Sequence, residues 1–174
     1  ASYLQVFAKQ FGMKTIGIVR NEETARLLFS KGWTDVLISS DEAFEDKLKQ
    51  TAFNYPASIA FDAVGGEFTG LLVRCLPNNA TIVVYGGLSN KVIGDIYPLS
   101  LIFGEQIIRG FNLNHWLKRA SNEKLQLATK TISEMMIEGK IENKVQIEVN
   151  ASEVARGLKQ YLGNMSAGKM LIRF

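Results

Sequence analysis

The sequence has 174 residues, 47% of them hydrophobic and 21% charged, values that exclude a disordered chain and allow a substantial core. Net charge is only +3, with Lys and Arg scattered rather than blocked together, which argues against nucleic acid as the main partner. A single cysteine, Cys75, excludes an internal disulfide and fits a reducing compartment, and no apolar run is long enough to span a membrane. The expectation is a soluble, cytoplasmic protein with no membrane partner. A chain that opens in mid-pattern without Met leaves an upstream organellar targeting segment open.

In chain order, residues 1–12 place Leu4, Phe7, Ala8 and Phe11 on one helical face and end at Gly12. A buried strand follows at 15–19, then a helix from Glu22 to Lys31 closed by Gly32. Residues 36–38 read as a short strand, and Ser40 or Asp41 as the cap of a helix running to Gln50. Residues 58–62 form the next strand, followed by Gly65-Gly66 and a helix through Leu71, Leu72 and Leu76. From Thr81 to Tyr85 the chain is β-branched and apolar on both faces, as suits a parallel strand covered by helices, and it stops at Gly86-Gly87. Residues 106–111 are a sixth strand, 121–138 the longest helix, and 145–149 another strand. Asn150 with Glu153 three residues on reads as a capping-box start for a helix to Leu162, and 169–174 closes the chain as a strand.

Strands alternating with helices imply an α/β, Rossmann-like doubly wound parallel sheet in a single domain, 1–174. Such folds begin with a strand and a glycine-rich turn, whereas this chain begins with the helix that should follow them. Either the first, central strand lies upstream and the chain is a C-terminal fragment of a larger protein, or the first helix is misassigned; the fragment is the preferred reading. Gly86-Gly87 serves either a tight turn or close ligand approach at a strand's carboxyl end. Asp62, at another strand end, is a helix cap in preference to a ribose contact. Cys75 reads as a small buried hydrophobe and His115 as a surface or pocket-edge residue; with no other Cys or His, no metal site is expected.

Residues 83–89 (VVYGGLS), then Leu101-Ile102-Phe103, Arg109 to Leu113 and Trp116, with Asp62 to Gly66 and the closing Gly168 to Ile172, resemble the cofactor domain of the zinc-independent medium-chain dehydrogenase/reductase superfamily. The likeness is closest to NADPH-dependent 2-enoyl thioester reductases, with quinone oxidoreductases next, and it spans essentially the whole chain. It implies a larger oxidoreductase whose catalytic domain and first fingerprint glycines lie upstream, so the catalytic residues are unknown and the fragment alone is expected to be inactive. It also implies that Tyr85, Gly86, Gly87 and Leu88 line the cofactor and that backbone groups of Phe111, Asn112 and Leu113 face the nicotinamide amide. Lys169 is placed near the cofactor or is simply a solvated strand end. The thioester reductases typically carry tryptophan at the position of Asn112, a departure that bears on the acyl pocket. A homodimer paired through the strand at 106–111 is implied as well.

Arg20-Asn21 directly follows the strand ending at Val19, where NAD enzymes place an acidic residue on the ribose hydroxyls. A guanidinium there suits a 2′-phosphate, so the expected cofactor is NADPH; the plain alternative is a solvated arginine. The expected chemistry is hydride transfer to a carbonyl-activated alkene, such as an enoyl thioester or enal, or to a quinone. The alternatives are a non-catalytic NADPH-binding module, a zinc-type alcohol dehydrogenase relative, or another Rossmann-like enzyme such as a methyltransferase.

Overall fold

The computed structural model describes residues 2–141, 144–163 and 168–174, and alternates helix and strand from its first element to its last. The elements are α1 (Ser2–Gln10), β1 (Ile16–Val19), α2 (Glu22–Ser30), β2 (Asp35–Ile38), α3 (Phe44–Asn54), β3 (Ile59–Asp62), α4 (Glu67–Cys75) and β4 (Thr81–Val84). There follow α5 (Pro98–Gly104), β5 (Ile107–Gly110), α6 (Leu113–Arg119), α7 (Asn122–Ile137), β6 (Val145–Asn150), a 3₁₀ turn (Ala151–Glu153), α8 (Val154–Gly163) and β7 (Lys169–Arg173). All the strand pairs are parallel: β1 with β2, β3 with β4, β4 with β5, and β6 with β7. Parallel neighbours need a crossover, and helices supply one in each case. The chain divides into two units, Tyr3–Leu125 and Gln126–Phe174.

In the first unit, α3 presents Phe44, Leu48 and Ala52 at four-residue intervals, all buried. With Leu72, Val73 and Cys75 of α4, the following Leu76 and Ala80, and Ile82 of β4, they form the core. Ile18 of β1, Leu37 of β2, Ala60 of β3 and Ile108 of β5 pack against it, so one helical layer serves both sheets of the unit. Burial of each large side chain there contributes about 1.5–3 kcal/mol. The Phe44 and Phe68 rings stack with centroids 6.3 Å apart. The Gln106 carboxamide donates to the carbonyls of Val73 and Leu76, each at 3.0 Å, and so ties the approach to β5 to the end of α4. In the second unit, α8 packs on β6 and β7.

The sheet of the first unit is interrupted. Among the described residues β1 pairs only with β2, and β3 only with β4, so each keeps an unpaired edge. Ile59 and Phe61 of β3 stay about half exposed, at 48% and 47%. That is unlike an interior parallel strand, which is covered on both faces. A parallel sheet open beside β1 and β3 agrees with the expectation that its central strand is missing here.

Several boundaries differ from expectation for local reasons. Asp41 accepts a hydrogen bond from the Ala43 amide at 2.9 Å and pairs with Lys47, forming a turn that delays α3 to Phe44, and the helix runs on to Asn54. The capping box at Asn150 does not form: Asn150 ends β6 without a side-chain cap, Glu153 pairs with Arg156 instead, and a 3₁₀ turn precedes α8. Helix α5 was not expected; Pro98 at its first turn is its start signal. No helix among the described residues is long and apolar enough to cross a membrane.

Glu45 links the two core helices, accepting from Lys49 at 2.9 Å and from Arg74 of α4 at 3.4 Å. The Lys49 bond first, and Arg74 second, hold its carboxyl below the usual range. The stability that this contributes is present above the unfolded pKa of about 4.3 and is lost as pH falls through the lower folded value. Thermal melts between about pH 3 and 6 should therefore show a shallower acid loss for Glu45→Gln than for the parent; identical acid limbs would remove Glu45 from the acid response.

Candidate functional site

Asp62 is the last residue of β3 and its side chain is almost fully buried, at 1% exposure. One carboxylate oxygen accepts from the amides of Val64 at 2.7 Å and Gly65 at 3.0 Å, and the other accepts from the Thr69 hydroxyl at 2.6 Å. Its oxygens are turned into the protein and not outward to a ribose; they brace the turn ahead of α4 and do not cap the helix, whose cap position is Gly66 without a side-chain cap bond. Gly65 and Gly66 then take the left-handed backbone, φ +72° and +63°, that sets the start of α4.

The loop after β4 is built on that turn. The Tyr85 amide donates to Asp62 O at 2.9 Å, Leu88 to Ala63 O at 3.1 Å, and Ser89 to Val64 O at 2.9 Å. A Cβ on Gly86 would come within 2.7 Å of the Ala63 carbonyl, whereas one on Gly87 would meet nothing within 4 Å. Gly86 permits tight packing of loop on turn, and Gly87 leaves a bare backbone facing open space.

Asp62, Val84 and Gly110 are neighbours across β3, β4 and β5. Because the strands are parallel, Tyr85–Leu88 and Phe111–Leu113 leave the sheet side by side at its carboxyl end, where ligands of open α/β sheets sit. The Phe111 amide extends the ladder, donating to Val84 O at 2.9 Å. Asn112 has its side-chain oxygen accepting from the His115 amide at 3.0 Å as the cap of α6. The Tyr85, Leu88 and Leu113 side chains are exposed.

Arg20 stands at the carboxyl end of β1 with its side chain exposed. Glu22, the nearest candidate partner in sequence, lies 3.7 Å from Arg26 instead, and among the described residues Arg20 has no ion pair. The Asn21 side-chain oxygen is occupied at the start of α2, accepting from the Thr24 amide at 3.0 Å and the Thr24 hydroxyl at 2.9 Å. Lys169 is in the second unit, exposed, at the first position of β7. Thr69, Ala63, Val64 and Ser89 shape the site without having been expected to. Thr69 meets Asp62 only through the bend into α4, and the other three act through backbone or through Cβ-free neighbours, so no local signal marks them.

The donor set does not fit zinc. Burial pushes the Cys75 thiol up to about 11, which keeps it protonated, and it lies in the core. His115 is exposed on α6, and among the described residues no three His, Cys, Asp or Glu side chains cluster as metal ligands.

Asp62→Ala would strand three donors, of which the Gly65 amide and the Thr69 hydroxyl are buried. Unfolding in urea should show a loss of about 2–4 kcal/mol, and amide exchange at Leu88 and Ser89 should rise. Unchanged protection of those two amides would disconnect Asp62 from the loop.

Residues 3–134 match the family model described as zinc-binding dehydrogenase. The mitochondrial enoyl-[acyl-carrier-protein] reductase of Dictyostelium discoideum is 32% identical over 124 residues, covering 68% of this chain and 35% of that protein. A crystal structure from Mesorhizobium loti, provisionally described as an NADPH:quinone reductase, superposes with a TM-score of 0.88 at 26% identity over 99% of this chain and 49% of its own. The mitochondrial 2-enoyl thioester reductase heterodimer of Candida tropicalis gives a TM-score of 0.80 at 24% identity, again over 99% of this chain and 50% of its own, and shares the fold. The chain therefore spans about a third of the curated relative and half of the similar structures. With an interrupted parallel sheet, a glycine loop at its strand ends and a family match across most of its length, the chain belongs to the zinc-binding dehydrogenase family of the medium-chain dehydrogenase/reductase superfamily.

Proposed function

We propose that the chain is the NADPH-binding part of an oxidoreductase that reduces a carbonyl-activated alkene, an enoyl thioester or enal, or a quinone. The observation that carries this is Arg20, an exposed guanidinium without an ion pair among the described residues, directly after β1. NADPH, when bound, supplies the hydride. Arg20 offers charge-assisted donors to a 2′-phosphate, and an acidic side chain there would repel it. The bare Gly87 backbone admits a close ligand, and the backbone groups of Phe111–Leu113 that lie outside the β4–β5 ladder orient the nicotinamide amide beside Tyr85–Leu88. Asn21 and Asn112 serve this set by fixing the helix starts next to it, as well as through their backbones.

The reacting groups that donate the proton lie outside this chain, in an upstream catalytic domain. The same upstream part supplies the strand that completes the sheet beside β1 and β3, and the fragment alone is inactive. The outer edge of β5 is unpaired among the described residues and carries a half-exposed Ile107, which supports pairing with a second copy in a homodimer. The relatives named as mitochondrial support a mitochondrial rather than a cytoplasmic place.

Two measurements test this. In the intact protein, nicotinamide-fluorescence titration should show NADPH bound more tightly than NADH, with Arg20→Asp weakening NADPH by roughly tenfold or more and leaving NADH unaffected. Equal binding of both cofactors by the parent would defeat the assignment of Arg20. Restoring the upstream segment should also raise the melting temperature and lower amide exchange in β1 and β3; no change in either strand would mean that the gap is not filled from upstream.

A further inference from the structure

Gly70 lies inside α4, is buried, and has an ordinary helical backbone, so conformation does not require glycine there. Glycine in a helix interior is also less stable than alanine. The space beside it explains the residue. A Cβ on Gly70 would overlap the Gly94 carbonyl oxygen and lie 3.3 Å from that of Asp95. Residues 89–97, which carry the chain from the glycine loop to α5, therefore rest backbone against backbone on α4.

Further contacts follow the same helix face. Glu67 pairs with Lys91 at 3.1 Å, and Arg74 donates to Asp95 O at 3.2 Å, so residues 67, 70 and 74 meet 91, 94 and 95 in order. The Glu67 pair is exposed and contributes little. Apolar burial holds the segment weakly, since Leu88 and Val92 are 82% and 88% exposed while Ile96 packs against the core. Asn90 and Asp95 take left-handed backbone, φ +50° and +58°, and turn the chain at the two ends of the crossing. The close approach at Gly70 is what sets its height above the helix. The helix cannot yield instead, because Thr69, Leu72 and Val73 beside Gly70 are buried and Thr69 is bonded to Asp62.

We propose that Gly70 is a positioning residue for the cofactor: it seats residues 89–97 on α4 and thereby holds Gly87 and Leu88, just upstream, in their ligand-facing place. The proposal rests on the reading above of Tyr85–Leu88 as cofactor lining. A methyl group at position 70 must lift Gly94 off the helix. That shift passes back along a short segment to the amides of Ser89 and Leu88, which donate to Val64 O and Ala63 O. Tyr85–Leu88 are assigned to the nicotinamide, which NADPH and NADH share, whereas Arg20 is assigned to the 2′-phosphate, which NADH lacks. Loss of Gly70 should therefore weaken both cofactors alike.

The test titrates the intact protein and its Gly70→Ala variant with NADPH and with NADH by nicotinamide fluorescence, well below the melting temperature. The expected result is a rise in Kd of about fivefold for both cofactors with their ratio unchanged, and faster amide exchange at Leu88 and Ser89 but not in β4. Unchanged Kd for both, or a loss confined to NADPH, would overturn the proposal. A lower melting temperature with affinity and exchange at Leu88 and Ser89 unchanged would make Gly70 a packing residue only, and overturns it as well. If Gly70→Ala does not fold, Arg74→Met removes the donor to Asp95 O and leaves Glu45 its Lys49 partner. That variant should show the same unselective rise in Kd at about twofold, and no rise would count against the proposal. If the parent binds neither cofactor while Gly70→Ala still speeds exchange at Leu88 and Ser89, the NADPH reading fails and the hold of Gly70 on the loop stands.

Discussion

One buried carboxylate organises the carboxyl end of β3 and the loop that follows β4. Asp62 draws the amides of Val64 and Gly65 and the hydroxyl of Thr69 onto two oxygens, and this fixes the turn between β3 and α4. With the turn fixed, the carbonyls of Ala63 and Val64 point toward the next loop and receive Leu88 and Ser89. A chain of backbone bonds thus passes from a single side chain to the loop with the bare glycine. Satisfying three donors at once is what makes a charged group tolerable at 1% exposure.

Much of this was legible in the residues because parallel strands write themselves as short runs apolar on both faces, as at 81–84, and because helices such as α3 carry a four-residue stripe. Elements shorter than the stripe were harder: α5 has seven residues and mostly exposed apolar side chains, so only Pro98 announces it. Asn150 and Glu153 had the right spacing for a capping box, yet the strand claimed Asn150 and Arg156 claimed Glu153. At the site, the position of Arg20 could be read from the strand that precedes it. Asn21 and Asn112 are more informative about limits. Each was placed near a ligand, and each has its side-chain oxygen committed to a helix start, the role that asparagine takes most readily after a strand. The pairing of Asp62 with Thr69 is tertiary in origin and leaves no periodic trace.

The family's name and this chain's chemistry part company over metal. The fold requires apolar strands, crossover helices and glycines at the strand ends, all of which are present. A metal requires several thiolates, imidazoles or carboxylates converging on a point, and the chain's only thiol is held protonated in the core beside Glu45. Architecture and ligand chemistry are separable layers of the same sequence.

The uniform direction of the strands has a kinetic side. Pairs such as Ile16 with Asp35 and Thr81 with Ile107 join residues roughly twenty or more positions apart, and no tight hairpin joins any two paired strands. No ladder can therefore begin as a local event; each must wait until a helix-length loop has closed, which raises the contact order and slows the search. During synthesis, segments 16–19 and 59–62 would emerge from the ribosome before their downstream partners at 35–38 and 81–84. In that interval Ile59 and Phe61 are natural targets for a holding chaperone.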